Sequence, residues 1–453
     1  MDKMNTKKTG KSFLTFIPFT ILSNWSVQYH LEQKSSYSDK YQLVEIGSFL
    51  SKDRASIDIK DDIEYRRVTV KIKNGGVYLR DIKKGNEIGT KKQFVASEGQ
   101  FIISKIDARN GAMGIISSDL SGAIVTNDFP LFNINASCIN PKYFLLNITT
   151  DAFLKFAQSC SSGTTNRQRI DIDVFLKQKI PLPSLEEQNE LIKKYDAKIK
   201  EVEKLENEAV ELEREIEEYF LNELNIKITT KEKKDKAFYF VNYAVIDRWD
   251  IWVNNNLNND CNSAIKLKDL IYGDPQYGAN VKGVHKKSNT RYIRITDINE
   301  SGALNSDFVS PEYVEDKYLL TDNDFLIARS GNTVGKTFLY KESHGRAIFA
   351  GYLVKYVINA NKIIPEYLLY YTKSTPFKNW IQVNQRVSGQ PNINGKEFLS
   401  APIPLPTISK QKEIVNYIKN IREIVKGCRV ESKDKRALAI QEFENEIFKT
   451  KIG

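Results

Sequence analysis

The sequence predicts an α+β protein: two tandem, pseudo-twofold-related domains joined by two long antiparallel coiled-coil helices. An internal repeat, a partition of charge and two heptad-like apolar stripes predict it. With residue n set against n + 224, Phe16 meets Phe240, Trp25 meets Trp249, Leu43 meets Leu267, Phe101 meets Phe325, Ala123 meets Ala347, and Pro141 with Tyr143 meets Pro365 with Tyr367. The offset then slips by one, so that FLKQKIPLPSLEEQ at 175–188 repeats as FLSAPIPLPTISKQ at 398–411. A unit this long is a domain rather than a stacked repeat, whose period is about 20 to 50 residues. At 453 residues the chain is large enough for two cores.

In chain order the reading begins with an N-terminal arm, residues 1–25. It is basic and then apolar, but no small-residue cleavage site follows, and its echo around Phe240 lies inside the chain, so a structural arm is expected rather than a signal peptide. A first domain covers 26–184, a helix 185–224, a linker 225–249, a second domain 250–407 and a second helix 408–449. Within the domains, VYLRDI at 77–82 resembles RYIRITDI at 291–298, and FIISKIDARNGAMGII at 101–116 resembles FLIARSGNTVGKTFLY at 325–340. Both pairs read as strand, glycine turn, strand. After Pro141 and Pro365 the runs KYFLLNITTDAFLKFAQ and EYLLYYTKSTPFKNWIQ read as helical with an apolar face.

The first long helix places Ile192, Tyr195, Ile199, Val202, Leu205, Ala209, Leu212, Ile216 and Tyr219 in steps of three and four, a coiled-coil seam. Ser184 with Glu187 forms a capping box at its start. The second helix offers Ile414, Tyr417, Ile421, Ile424, Cys428, Leu438, Phe443 and Ile447. Two such helices in one chain, each following a copy of the same domain, are expected to pair with each other. About 40 residues at 1.5 Å each make a spacer on the order of 60 Å.

Charge separates these parts. Residues 1–184 carry 26 basic and 18 acidic groups, residues 185–224 carry 6 and 14, residues 225–407 carry 24 and 18, and residues 408–449 carry 10 and 7. The domains are therefore basic and the first helix acidic. Basic domains attract polyanions through counterion release, so nucleic acid is the expected partner, with the acidic helix held away from the phosphates.

Other chemistries find little support. No apolar run approaches the roughly 20 residues of a membrane span. Cys138, Cys160, Cys261 and Cys428 are scattered, and His30, His285 and His344 are unmatched between the halves, so no disulfide framework, no metal site and no catalytic residue is expected. GNTVGKT at 331–337 has three residues between its glycines where a P-loop has four. NPKY at 140–143 and DPQY at 274–277 lack the second proline of the Asp/Asn-Pro-Pro-aromatic motif of amino-methyltransferases.

The candidate DNA-binding residues are basic and amide side chains in polar loops. They are Arg80, Lys105, Arg109, Arg167, Gln168 and Arg169 in the first half, and Arg294, Arg329, Lys336, Arg386, Gln390 and Asn392 in the second. Arginine forks match guanine edges, and Gln or Asn holds adenine through two bonds. The pairs Arg80 with Arg294 and Lys105 with Arg329 are expected to position the backbone, since a shared residue cannot distinguish two half-sites.

Two variable domains, each ending in an IPLP segment with a glutamine five residues on that opens a long helix, resemble the specificity subunit of type I restriction-modification systems. The strongest piece is IPLPSLEEQNELI at 180–192; the second copy departs from it with Ser409 and Lys410 in place of Glu186 and Glu187. The scattered cysteines make a cytoplasmic location the simplest expectation, and the resemblance implies a non-catalytic subunit whose two target recognition domains read a bipartite, asymmetric site on double-stranded DNA, residues 26–175 one half and 250–398 the other. It further implies two modification (methyltransferase) subunits that methylate adenine, and two restriction subunits that cleave. S-adenosylmethionine, ATP and Mg are then expected on those partners and no cofactor on this chain. Two competing readings are the specificity subunit of a fused restriction-methyltransferase enzyme and a non-catalytic architectural protein that bridges DNA without sequence preference.

Overall fold

Fully buried apolar triplets recur at matched points of the repeat, and each forms the middle of a sheet. The computed structural model describes residues 37–159, 161–162, 169–226, 264–285, 288–299, 301–306, 308–385 and 390–448; the arm, most of the linker, both repeat tryptophans Trp25 and Trp249, Cys160, Cys261, Arg167, Gln168 and Arg386 lie outside them. The chain divides into two compact units, Met1–Lys204 with Ser432–Gly453, and Leu205–Glu431.

In the first unit the buried run Phe101–Ile103 lies within a four-stranded antiparallel sheet in the order Leu50–Lys52, Leu131–Ile134, Phe101–Ile103, Met113–Ile115. A second sheet has the order Ser56–Asp58, Lys92–Val95, Ile124–Val125, Glu64–Lys71, Gly76–Lys84. Its last two strands form a hairpin that turns through Lys73 and Asn74, both in the left-handed region. The core is aromatic: Phe101 lies edge-on to Phe144 at 5.0 Å and stacks on Phe175 at 6.0 Å. Phe443 and Ile447 complete this same core.

The second unit repeats the four-stranded sheet as Ile271–Tyr277, Leu353–Ile358, Asp324–Ala328, Thr337–Leu339. Phe101 faces Ile115 and Phe132 in the first unit; Phe325 faces Leu339 and Tyr356 in the second, each 224 residues on. The strand–turn–strand reading of 101–116 and 325–340 is therefore correct.

Two sequence pairings are not. Ile46, not Leu43, is the counterpart of Leu267: both open a 3-10 turn, both are buried, and their amides donate to the matched carbonyls of Gln178 and Ala401. An irregularity between Tyr272 and Gln276 takes up two of the three extra residues. Likewise RYIRITDI does not match VYLRDI. Arg291–Ile293 lies parallel to Ala347–Phe349 as Arg67 lies parallel to Ile124, which makes Glu64–Lys71 its counterpart. Gly76–Lys84 has no such pairing; it is an edge strand of the hairpin.

The helical runs after Pro141 and Pro365 each break in two, into Pro141–Ile148 with Asp151–Ser159 and Pro365–Tyr371 with Thr375–Asn384. Their first tyrosines hold the IPLP segments. The Tyr143 hydroxyl donates to the Pro181 carbonyl at 2.9 Å, and Tyr367 to Pro404 at 2.8 Å. The motif glutamines close the same joint. Gln188 Oε1 accepts from the Asn140 amide and Gln411 Oε1 from the Ile364 amide, each at 2.8 Å. Their Nε2 groups donate to the Pro183 and Pro406 carbonyls, and both side chains are wholly buried.

The long helices span Leu185–Glu223 and Ile408–Ile447. The Ser184–Glu187 capping box is formed in both directions, at 3.0 and 3.3 Å. Inside the first unit the helices run in opposite directions, with Lys198 against Glu442 and Glu201 against Lys435. Inside the second unit Glu213 meets Arg429, Glu223 meets Lys410, and Tyr219 stacks on Tyr417 at 3.8 Å. The acidic helix thus faces basic groups, although each exposed pair contributes only a fraction of a kcal/mol. Val202, Ala209 and Ile216 are buried as expected. The second stripe is corrected: Ile424 and Leu438 are exposed, while Ile418, Val425, Ser432 and Ala439 are buried with Ile414, Cys428, Phe443 and Ile447. Among the described residues no helix is long and apolar enough to cross a membrane.

Candidate nucleic-acid interface

The strand Phe101–Ile103 delivers Lys105 into a loop fixed from both sides. The Lys105 amide donates to the Asp128 carbonyl and its own carbonyl accepts from Ile170, both at 2.8 Å. Arg169 beside Ile170 reaches the Asp128 carboxylate at 3.1 Å. Burial, and then the positive charge of Lys52, hold the Lys105 ammonium below the usual lysine range, with Asp128 pulling it back. Lys52, Lys105 and Arg169 outnumber the one carboxylate of Asp128, a locally cationic surface that an approaching phosphate would relieve. Arg109 stands on the neighbouring turn Ala108–Asn110, where its carbonyl accepts from Gln158.

The second unit builds the same backbone frame. The Arg329 amide donates to the Tyr352 carbonyl at 3.0 Å, and its carbonyl accepts from Ile393 at 2.9 Å. The anchors are 224 and 223 residues beyond Asp128 and Ile170. The side chains differ at every matched place: Arg329 for Lys105, Tyr352 for Asp128, Asn392 for Arg169. The Arg329 guanidinium lies 5.1 Å from the centre of the Tyr277 ring, and the Tyr277 hydroxyl accepts from the Gly395 amide at 3.0 Å. Asn392 bridges to Ser330, and a Cβ on Gly331, at φ +78, would stand 3.1 Å from Gln390 Nε2. Arg329, Gln390 and Asn392 are therefore neighbours, brought together by the loop after the central strand.

The remaining candidates fall elsewhere. Arg80 is the unopposed residue of a β-bulge: Asp81 faces Arg67 and Leu79 faces Val68, leaving Arg80 exposed between them. Arg294 instead clamps the nearly buried Asp297 with two bonds, at 2.8 and 3.1 Å, across a 3-10 turn. These two arginines do not occupy matched places. Lys336 spends its ammonium on the Ile298 carbonyl at 3.0 Å, so GNTVGKT forms a structural turn. Sequence reading missed Lys52, Asp128, Tyr277 and Tyr352. The available signal was a matched position where the chemistry changes, as Asp128 to Tyr352 does.

The chain matches the family model described as type I restriction modification DNA specificity domain over residues 38–214 and 278–428. It is 26% identical over 254 residues to the type I restriction enzyme EcoBI specificity subunit of Escherichia coli, covering 53% of this chain and 51% of that one. It is 24% identical over 288 residues to the MjaVIII specificity subunit of Methanocaldococcus jannaschii, covering 61% and 62%. These matches span from half to just under two thirds of the curated relatives. A solved chain from work titled as the structural basis of complex assembly and conformational transition of the type I R-M system superposes with a TM-score of 0.50 at 15% identity, over 90% of this chain and 98% of that one. That likeness concerns the fold. On the family match, which runs through both copies of the repeat, the chain belongs to the type I restriction modification DNA specificity family.

Proposed function

We propose that this chain is the DNA-sequence-specificity subunit of a type I restriction-modification complex, binding a bipartite asymmetric site. The observation that carries the reading is the doubled loop: one backbone frame, built twice, bearing Lys105, Asp128 and Arg169 in one copy and Arg329, Tyr352 and Asn392 in the other. A shared frame suits a shared duplex geometry, and different side chains suit different base edges. The two copies form a pseudo-twofold pair, with the long helices as antiparallel coiled-coil spacers that set the gap between half-sites. Partner subunits supply the reactions: two methyltransferase subunits that modify adenine with S-adenosylmethionine, and two ATP- and Mg-dependent restriction subunits that cleave. This chain contributes recognition alone.

Exchange of residues 26–175 for the corresponding segment of another family member tests the reading, with methylated adenines mapped across a genome. One half of the recognised motif should change while the other half and the gap persist. Simultaneous change of both halves would refute separate readers.

A further inference from the structure

Resting on that reading, we infer that Arg329 is the guanine-reading residue of the half-site bound by the second unit, and that Tyr277 is the residue that positions it.

Five observations converge on Arg329. Its backbone is bonded on both sides, to Tyr352 and to Ile393, so the origin of the side chain is fixed. Its guanidinium lies over the Tyr277 ring at 5.1 Å, which restrains the position of the fork. That ring is itself pinned, through its hydroxyl, to the amide of Gly395. Among the described residues no carboxylate pairs with Arg329, whereas Arg294 is consumed by Asp297. The buried Nε of Arg329 has no hydrogen-bond partner.

An arginine held planar with its terminal nitrogens uncommitted to a carboxylate matches guanine O6 and N7, the commonest base-specific contact in the major groove. Less side-chain freedom remains to be lost on binding, since the cation–π contact holds the fork beforehand. The neighbours fit the same role: Gln390 and Asn392 offer amides to an adjacent adenine, and exposed Tyr352 flanks the loop. The matched residue Lys105 is a point charge beside Asp128 and Arg169 and has no fork.

The test uses the full chain assembled with its methyltransferase partners, and reads both the methylated motif and binding to duplexes varied one base pair at a time. Arg329→Lys keeps the charge and loses the fork. It should lower the preference for guanine at one position of the second half-site by about tenfold to a hundredfold, and leave the first half-site as it was. Tyr277→Leu should reduce the same preference at the same position by a smaller factor, and Tyr277→Phe by less again. An unchanged motif for Arg329→Lys, or a uniform weakening on all sequences, would overturn the assignment and make Arg329 a phosphate contact or a structural residue. An unsubstituted assembly without any preferred site would overturn the specificity reading itself, a result distinguishable because it needs no substitution.

Discussion

Gln188 and Gln411 show how a motif letter acquires a physical cause. Each is buried and holds the joint where a domain ends and a helix begins. Gln188 also donates to the Cys138 carbonyl at 3.2 Å. Gln188→Ala would leave the Asn140 amide and two carbonyls without partners, a cost of about 3 kcal/mol. Tyr143→Phe removes one buried bond to Pro181 and should cost about 1 kcal/mol. Chemical denaturation of the two variants checks the order; a Gln188→Ala chain as stable as the parent would show that water replaces the side chain. The sequence marked these residues because they recur at fixed spacing. It did not mark Asp128, because matching by identity passes over a position whose counterpart, Tyr352, differs in chemistry. Arg80 and Arg294 look alike in their local strings yet differ in structure, one lifted out by a bulge and the other tied to Asp297.

At the scale of elements, the period of a pattern was easier to read than its phase. The first helical stripe was legible because Val202, Ala209 and Ile216 fall seven apart, Val202 and Ile216 each between two glutamates. In the second helix Ile424 and Val425 are adjacent apolar residues, and spacing alone does not say which faces inward. Packing selects Val425, in phase with Ile418, Ile421, Cys428 and Ser432. The sheets were legible where a glycine turn separates two apolar strands, and obscure around 272–276, where an irregularity shifts the register by two residues. The helices also carry a prediction on spacing. Seven residues inserted after Lys204, with seven after Glu431, add two turns to each helix, about 10 Å. The gap between half-sites should widen by about three base pairs while both half-sites persist. Motif mapping reads the gap directly, and an unaltered gap would rule out the helices as its ruler.

For the whole molecule, duplication was the most legible property, because matched prolines, aromatics and glutamines fix domain size and order together. What the repeat could not disclose was where each unit is closed. The boundaries fall inside both long helices, so the first unit takes in Ser432–Gly453 as well as the N-terminal half. Tyr143 lies edge-on to Phe443 at 5.9 Å, Tyr37 stacks on Phe448 at 4.9 Å, and Ile447 is wholly buried. Deletion from Ile440 onward should therefore abolish the cooperative unfolding of the first unit and leave the second unit protected. Amide hydrogen exchange separates these outcomes, since each unit reports on its own peptides.

The order of synthesis gives that closure a further meaning. Domains usually fold as they leave the ribosome, N-terminal part first. Here the second unit, Leu205–Glu431, is continuous in sequence and finishes on emergence, while the first waits for Phe443, Ile447 and Phe448. The unit begun first is completed last. A nascent or truncated chain therefore carries an open aromatic core in its first half, and only a chain translated past Phe448 holds both units folded at once.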